Sequence, residues 1–185
     1  MKIRFCIVLS ILLISCDKND QHKTLSEKYQ VIQTLLTNTT NHKNHHAYLS
    51  DIDLLGPSTS SIGKSYSNYL SEILSEKDTF FIKQQLKEST TFKTDSLVFY
   101  GIEILKISDI QTNKSSRDSL WKSMRNKNIN GFYSYSQPIF NTNQTLAFIR
   151  YGYFCGLNCG NGQELLLEKI NGKWKIKTEL LFWIN

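Results

Sequence analysis

An α+β domain, with N-terminal helices packed on a C-terminal antiparallel sheet, is the fold this sequence predicts. Three observations carry the prediction. Up to about residue 88 the apolar residues recur at helical spacing. After about residue 95 they gather into short runs rich in aromatic and β-branched residues, which is strand composition. Finally, Asn171-Gly172 lies between two apolar-rich runs. A two-residue type I′ hairpin turn needs positive φ at both central residues, and Asn and Gly adopt it cheaply.

The elements follow in chain order. Residues 24–37 place Leu25, Tyr29, Ile32 and Leu35/Leu36 on one helical face, with Thr24 or Ser26 as a cap. Residues 37–47 are polar and read as a loop, and Gly56-Pro57 begins another break. Residues 64–76 carry the stripe Tyr66, Tyr69, Leu70, Ile73 and Leu74. Asp78 is placed to cap a further helix to about 88, with Phe81, Ile82, Gln85 and Leu86 on neighbouring turns. Residues 97–100 and 102–107 read as strands, and residues 116–127, around Leu120, Trp121 and Met124, as a short helix. The closing strands are 132–136, 145–154, 163–170 and 173–183. In the last of these Trp174 and Ile176 alternate with Lys173, Lys175 and Lys177, which predicts a sheet with one wet face. A curved sheet wrapped on a helix, as in cystatin-type and nuclear-transport-factor-type domains, is one shape of this class. Such an analogy concerns the fold alone.

The N-terminus predicts an address. Lys2 and Arg4 precede an apolar run over residues 5–14, the charged start and apolar centre of a secretory signal. The run is shorter than the roughly 20 residues needed to span a bilayer. Leu13-Ile14-Ser15-Cys16 resembles the lipobox of bacterial lipoproteins. That resemblance implies removal of residues 1–15 and a lipid on the Cys16 sulfur. Residues 16–23 would then be the lipidated cysteine and a polar tether, and residues 24–185 one α+β domain. Multiple acyl chains hold a protein stably on a membrane. The expected location is therefore the cell envelope, facing the periplasm or the outside. Loss of Lys2 and Arg4 leaves a formal charge of +4 from the +6 of the whole chain, a mild balance that singles out no partner. Outside the cytoplasm nucleic acid is not an expected ligand.

Of the four cysteines, Cys6 would leave with the leader and Cys16 would be alkylated, as the lipobox resemblance implies. Cys155 and Cys159 remain in an oxidising compartment, where a disulfide is the default reading. They lie in Cys155-Gly156-Leu157-Asn158-Cys159-Gly160-Asn161-Gly162, a glycine-rich interruption between two strands. Such a stretch predicts a tight turn with unusual backbone angles. Three alternatives stand beside the structural bridge. One is a redox pair, although C-x3-C differs from C-x-x-C. Another is a metal site, although two thiolates fall short of four ligands. The third is a backbone nest for an anion or partner group, formed by Gly156, Gly160, Asn161 and Gly162.

From about Trp121 to Ile184 the chain resembles short, uncharacterised lipoproteins of Bacteroidetes-type bacteria. The shared features are Ser136-Gln137-Pro138-Ile139-Phe140, residues 147–153, Cys155-Gly156 with Cys159-Gly160-Asn161-Gly162, Asn171-Gly172-Lys173-Trp174 and Phe182-Trp183-Ile184. Asn185 departs from the usual final serine of that group. The resemblance implies an envelope location and a shared domain. It implies no activity, cofactor or catalytic residue.

Residue chemistry narrows the rest. His22, His42, His45 and His46 are all near the N-terminus, so residues 47–185 have no histidine for a Ser-His or Cys-His nucleophile. His42 with His45 or His46 has metal-ligand spacing only if helical, in a segment that reads as loop. Asp51 and Asp53 lack the further acids that calcium requires. Glu164 and Glu168 could share one face of a strand, and alternation on a wet face explains them equally well. Residues 119–163 hold no acid, yet carry Lys122, Arg125, Lys127 and Arg150 among many aromatics. That pattern predicts either a basic aromatic surface or cross-strand packing. There is no P-loop, dinucleotide fingerprint, zinc-protease motif or EF-hand. The expected protein is a non-catalytic envelope module that binds a protein, glycan or small ligand, with Arg150 and residues 156–162 as its candidate face. An envelope enzyme is the alternative.

Overall fold

The computed structural model describes residues 17–39, 48–50, 66–77, 79–89, 103–106 and 117–184. Helix α1 spans Asp17–Thr39, α2 Tyr66–Ile73, α3 Thr79–Ser89 and α4 Arg117–Asn126. The strands are β1 Tyr48–Ser50, β2 Glu103–Leu105, β3 Phe132–Tyr135, β4 Ile139–Phe140, β5 Leu146–Gly156, β6 Cys159–Ile170 and β7 Lys173–Ile184. The α+β class is as predicted. Leader residues 1–16, the cap Asp78, the strand expected at 97–100, the pair Asp51 and Asp53, and His42, His45 and His46 lie outside the described residues.

One correction concerns the first helix, which begins earlier than expected: residues 17–23, expected as a polar tether, are helical and form the opening of α1. This segment contains no Gly or Pro to stop helical propagation. Thr24 and Ser26 are therefore interior residues rather than caps. The buried side chains Val31, Ile32, Leu35 and Leu36 repeat at helical spacing and dock against the sheet.

The sheet runs in the order β2-β1-β3-β5-β6-β7, with β4 beside β5. The five strands from β3 onward pair antiparallel. β2 falls within the strand expected at 102–107, whereas β1 was not expected; β1 lies parallel to both β2 and β3, so one end of the sheet is mixed rather than antiparallel. Asn171 (φ 50°) and Gly172 (φ 75°) form the predicted type I′ turn between β6 and β7.

Helices cover both faces of this sheet, rather than one face as in a sheet wrapped on a single helix. Side chains alternate along a strand. On β5, Ala147 and Ile149 pack in the cluster that contains α1, whereas Phe148 packs with Leu70 of α2, Leu74 just after that helix and Ile82 of α3. On β6 the consecutive residues Leu165, Leu166 and Leu167 are all buried, the signature of a strand covered on both sides. Helix α4 lies on the α2 side, where Trp121 stacks on Phe132 at 5.8 Å. Gln85 of α3 works as a surrogate strand for β4: its Nε2 donates to the Phe140 carbonyl at 2.8 Å and its Oε1 accepts from the Phe140 N–H at 2.9 Å.

On β7 the predicted alternation holds only in part. Trp174 is buried, and the three lysines are exposed, but Ile176 is 41% exposed. β7 ends the sheet, and its pairing with β6 slips at two bulges. Residues on its outer side therefore lack a covering neighbour.

Candidate functional site

On the α1 face the sheet carries two cross-strand rows that begin at the edge of the α1 cluster, where Tyr135 is buried and Tyr133 and Tyr151 pack against it, and run out to β7. The first joins Tyr133 of β3, Tyr153 of β5, Asn161 of β6 and Ile184 of β7. The second joins Tyr135, Tyr151, Gln163 and Phe182 in the same strand order. The period of two places all eight side chains on the α1 face. The four tyrosine rings contact one another in a chain, with centroids 5.0 Å apart for Tyr133–Tyr153, 5.9 Å for Tyr135–Tyr151 and 6.4 Å for Tyr133–Tyr135. Exposure rises toward β7: Tyr135 is buried, Tyr133, Tyr151, Tyr153 and Gln163 are half-buried, and Asn161 is exposed. Phe182 reaches 53% and Ile184 73%.

The rows thus run from aromatic rings through two amides to an apolar edge. Tyr151 donates its hydroxyl to Gln163 Oε1 at 2.9 Å, and Gln163 Nε2 donates to Glu179 Oε2 at 3.3 Å. Burial raises the pKa of Tyr133, Tyr151 and Tyr153. Lesser causes are the neighbouring Tyr153 for Tyr133, and Glu179 and then Tyr133 for Tyr151. The three phenols therefore stay protonated through the physiological range and offer O–H donors.

Most of the residues singled out from sequence fall elsewhere. Arg150 is on the opposite face, under α2. Its Nε lies 3.2 Å from Glu164 Oε1, and its side chain is only 12% exposed. Glu164, its cross-strand partner, is 2% exposed and also accepts the Tyr69 hydroxyl at 2.9 Å. This corrects two expectations: Arg150 is not part of an open surface, and the Glu164 face is not wet. Glu168, two positions along on that side, pairs with Lys177 at 3.1 Å. Lys122, Arg125 and Lys127 belong to α4 and the turn that follows it. The basic aromatic surface expected from residues 119–163 therefore separates, with cations and tyrosines on opposite sides of the sheet.

The glycine-rich loop is also different from expectation. Gly160 and Gly162 sit in the β5–β6 ladder opposite Phe154 and Gly152, and Gly156 pairs with Cys159. Gly172 is the described glycine with positive φ. Backbone groups committed to a ladder make no anion nest. Gly162 is required for a different reason: a Cβ there would come within 2.3 Å of Trp183 Cζ2 and 2.5 Å of the Tyr151 carbonyl oxygen. The glycine lets the Trp183 ring lie flat across β6 and meet Phe154 at 5.9 Å. We expect Gly162→Ala to destabilise by about 1–3 kcal/mol through overpacking, read as a lowered urea midpoint. Asn161 is the member of the proposed loop set that faces the tyrosine rows. Cys155 and Cys159 lie at disulfide distance, with Cα atoms 5.0 Å apart, and close the tip of this hairpin where the register shifts.

Sequence reasoning missed the tyrosine rows as a unit. Alternation along 145–154 would have put Tyr151 and Tyr153 on one side, and a hairpin centre at Leu157-Asn158 would have set Asn161 and Gln163 beside them. It also missed Glu27 of α1, which is 5% exposed and accepts from Lys169 Nζ at 2.5 Å and Trp174 Nε1 at 2.7 Å. A groove of about 650 Å³ lies beside it, between α1 and the Asn171-Gly172 turn. Its Thr34, Thr37 and Asn38 side chains donate to carbonyls of α1 itself, so much of its polarity is turned inward. Among the described residues there is no cluster of three or more His, Cys, Asp or Glu that could hold a metal, and no helix long and apolar enough to cross a membrane.

Fold and face together define an α+β domain with helices on both sheet faces and an aromatic, amide-bearing end left open. No protein-family model, no curated protein and no solved structure matches the chain.

Proposed function

We propose that this chain is an exported lipoprotein, anchored through Cys16 to a bacterial envelope membrane, whose domain binds an envelope component without transforming it. The leader supports the address. The binding reading is carried by a single observation: helices cover most of the sheet, while the rows ending in Asn161, Phe182 and Ile184 grow steadily more exposed. A surface of this kind, apolar with a few placed polar groups, is how a binding site differs from a merely soluble one. The enzyme alternative has a charged cluster at Tyr69, Glu164 and Arg150, but its carboxylate is closed beneath α2.

Two measurements test the proposal. Labelling with a radioactive fatty acid should mark the wild-type protein and not Cys16→Ser. A photo-crosslinking residue at Phe182 in intact cells should trap a specific envelope component, while one at Lys122 on the other side should not. An unlabelled protein removes the anchor; no adduct at Phe182 removes the binding face.

A further inference from the structure

We infer that the open face takes a neutral saccharide chain. The inference rests on the binding-module reading above and gives it a ligand class. Three features of the face select this chemistry. The first is the set of Tyr133, Tyr151 and Tyr153, each half-buried and therefore held in place, with the buried Tyr135 packed between Tyr133 and Tyr151. A sugar ring presents a face of C–H groups that packs on the π surface of an aromatic ring, whose face is electron-rich.

The second feature is the position of the amides. Asn161 is the cross-strand neighbour of Tyr153, and Gln163 that of Tyr151. Neighbouring strands are about 4.8 Å apart, comparable to the width of one sugar ring. Tyr151 reaches toward β6, where its hydroxyl meets Gln163, so a sugar resting on that ring has its hydroxyls beside an amide, which both donates and accepts; the Tyr153 ring leans the other way, over Gly131. Gln163 is already oriented by Tyr151 and Glu179, so little freedom is lost when it binds. A purely apolar partner, such as an acyl chain, would leave these two amides without water or a replacement, at a cost in desolvation.

Charge is the third feature. The eight residues of the rows are uncharged types, and among the described residues the acidic or basic side chain hydrogen-bonded to them is Glu179. The cations Lys122, Arg125 and Lys127 are on the far side of the sheet. An anionic polysaccharide would meet a carboxylate without compensation, whereas a neutral one offers hydroxyl donors to it. Repetition suits a chain: each row can seat one unit, and the rows lie two strand positions apart.

The test uses the full lipoprotein in micelles of a detergent without a sugar headgroup. Affinity electrophoresis through gels containing xyloglucan, galactomannan or amylopectin should retard it in at least one, and alginate should not. Asn161→Ala and Phe182→Ala, both at exposed positions, should each weaken that retardation roughly three- to tenfold with the melting temperature unchanged. Lys122→Ala should leave it unaltered. The inference is overturned if none of the three neutral polymers binds, if alginate binds as well as they do, or if the double variant of Asn161 and Phe182 retains full binding. Should the Phe182 crosslink trap a protein while the neutral polymers fail, the saccharide class falls and the binding-module reading stands.

Discussion

Glu164→Ala should lower the free energy of unfolding by about 3–5 kcal/mol, measured by urea denaturation with an unchanged slope. The carboxylate is 2% exposed. Its removal leaves the Arg150 guanidinium beneath α2 facing the space the carboxylate filled, and deprives the Tyr69 hydroxyl of its acceptor. Breaking a buried pair from one side is far more costly than replacing both partners. The double variant Arg150→Met with Glu164→Leu should therefore recover most of the loss. The same contact predicts a pH effect. The Tyr69 pKa is pushed up to about 12, first by burial, then by its hydrogen bond to Glu164 and that group's negative charge, with Arg150 acting in the opposite sense. A folded-state pKa above the unfolded value contributes stability that is complete below about pH 10 and is lost as pH rises through about 12. In Glu164→Ala the ultraviolet titration of this tyrosine should move down toward its ordinary range.

The second large effect is expected at Glu27. Glu27→Ala removes the acceptor shared by Lys169 Nζ and Trp174 Nε1, two groups on β6 and β7 that clamp α1 to the sheet. Lys169 is 22% exposed and can turn partly to water, whereas the Trp174 ring is 5% exposed and cannot. We expect a loss of about 2–4 kcal/mol. It should be accompanied by a shift in tryptophan fluorescence and by proteolysis within α1 before the sheet is cut. Glu27→Gln keeps an acceptor oxygen and should lose less.

These two carboxylates also show where reading the sequence stopped. Periodicity located α2, α3, α4 and the long strands within a few residues, because each buries a continuous stripe that its own spacing records. Asn171-Gly172 announced its turn through local backbone chemistry alone. Glu27, by contrast, reads as one more polar residue on an amphipathic helix; its partners stand 142 and 147 positions further on. Glu164 looks like the wet half of an alternating strand until Tyr69, 95 residues earlier, is laid over it. Charge on a strand says nothing about which helix will cover it.

The short strands were illegible for a different reason. Tyr48-Leu49-Ser50 and Ile139-Phe140 are too brief to show a period, and they exist through backbone pairing to neighbours. The glycine-rich hairpin misled because glycine has two uses. Unusual φ is one, and it applies at Gly172. Space for a ring on the adjacent strand is the other, and it governs Gly162. Its cause, Trp183, comes 21 positions later and reaches Gly162 only through the β6–β7 register. The candidate face shares that dependence. Tyrosines, amides and Phe182 become neighbours only once two hairpins have set their register, and of the residues first marked for binding Asn161 alone lies among them.

Hydroxyl-radical labelling with mass-spectrometric readout, comparing the protein in its native envelope with the purified lipoprotein, tests the proposed face most directly. The account predicts that Tyr153 and Phe182 are less reactive in the envelope, while exposed Phe80 on α3 reacts equally in both settings. Equal reactivity of Tyr153 and Phe182 in the two settings would contradict it.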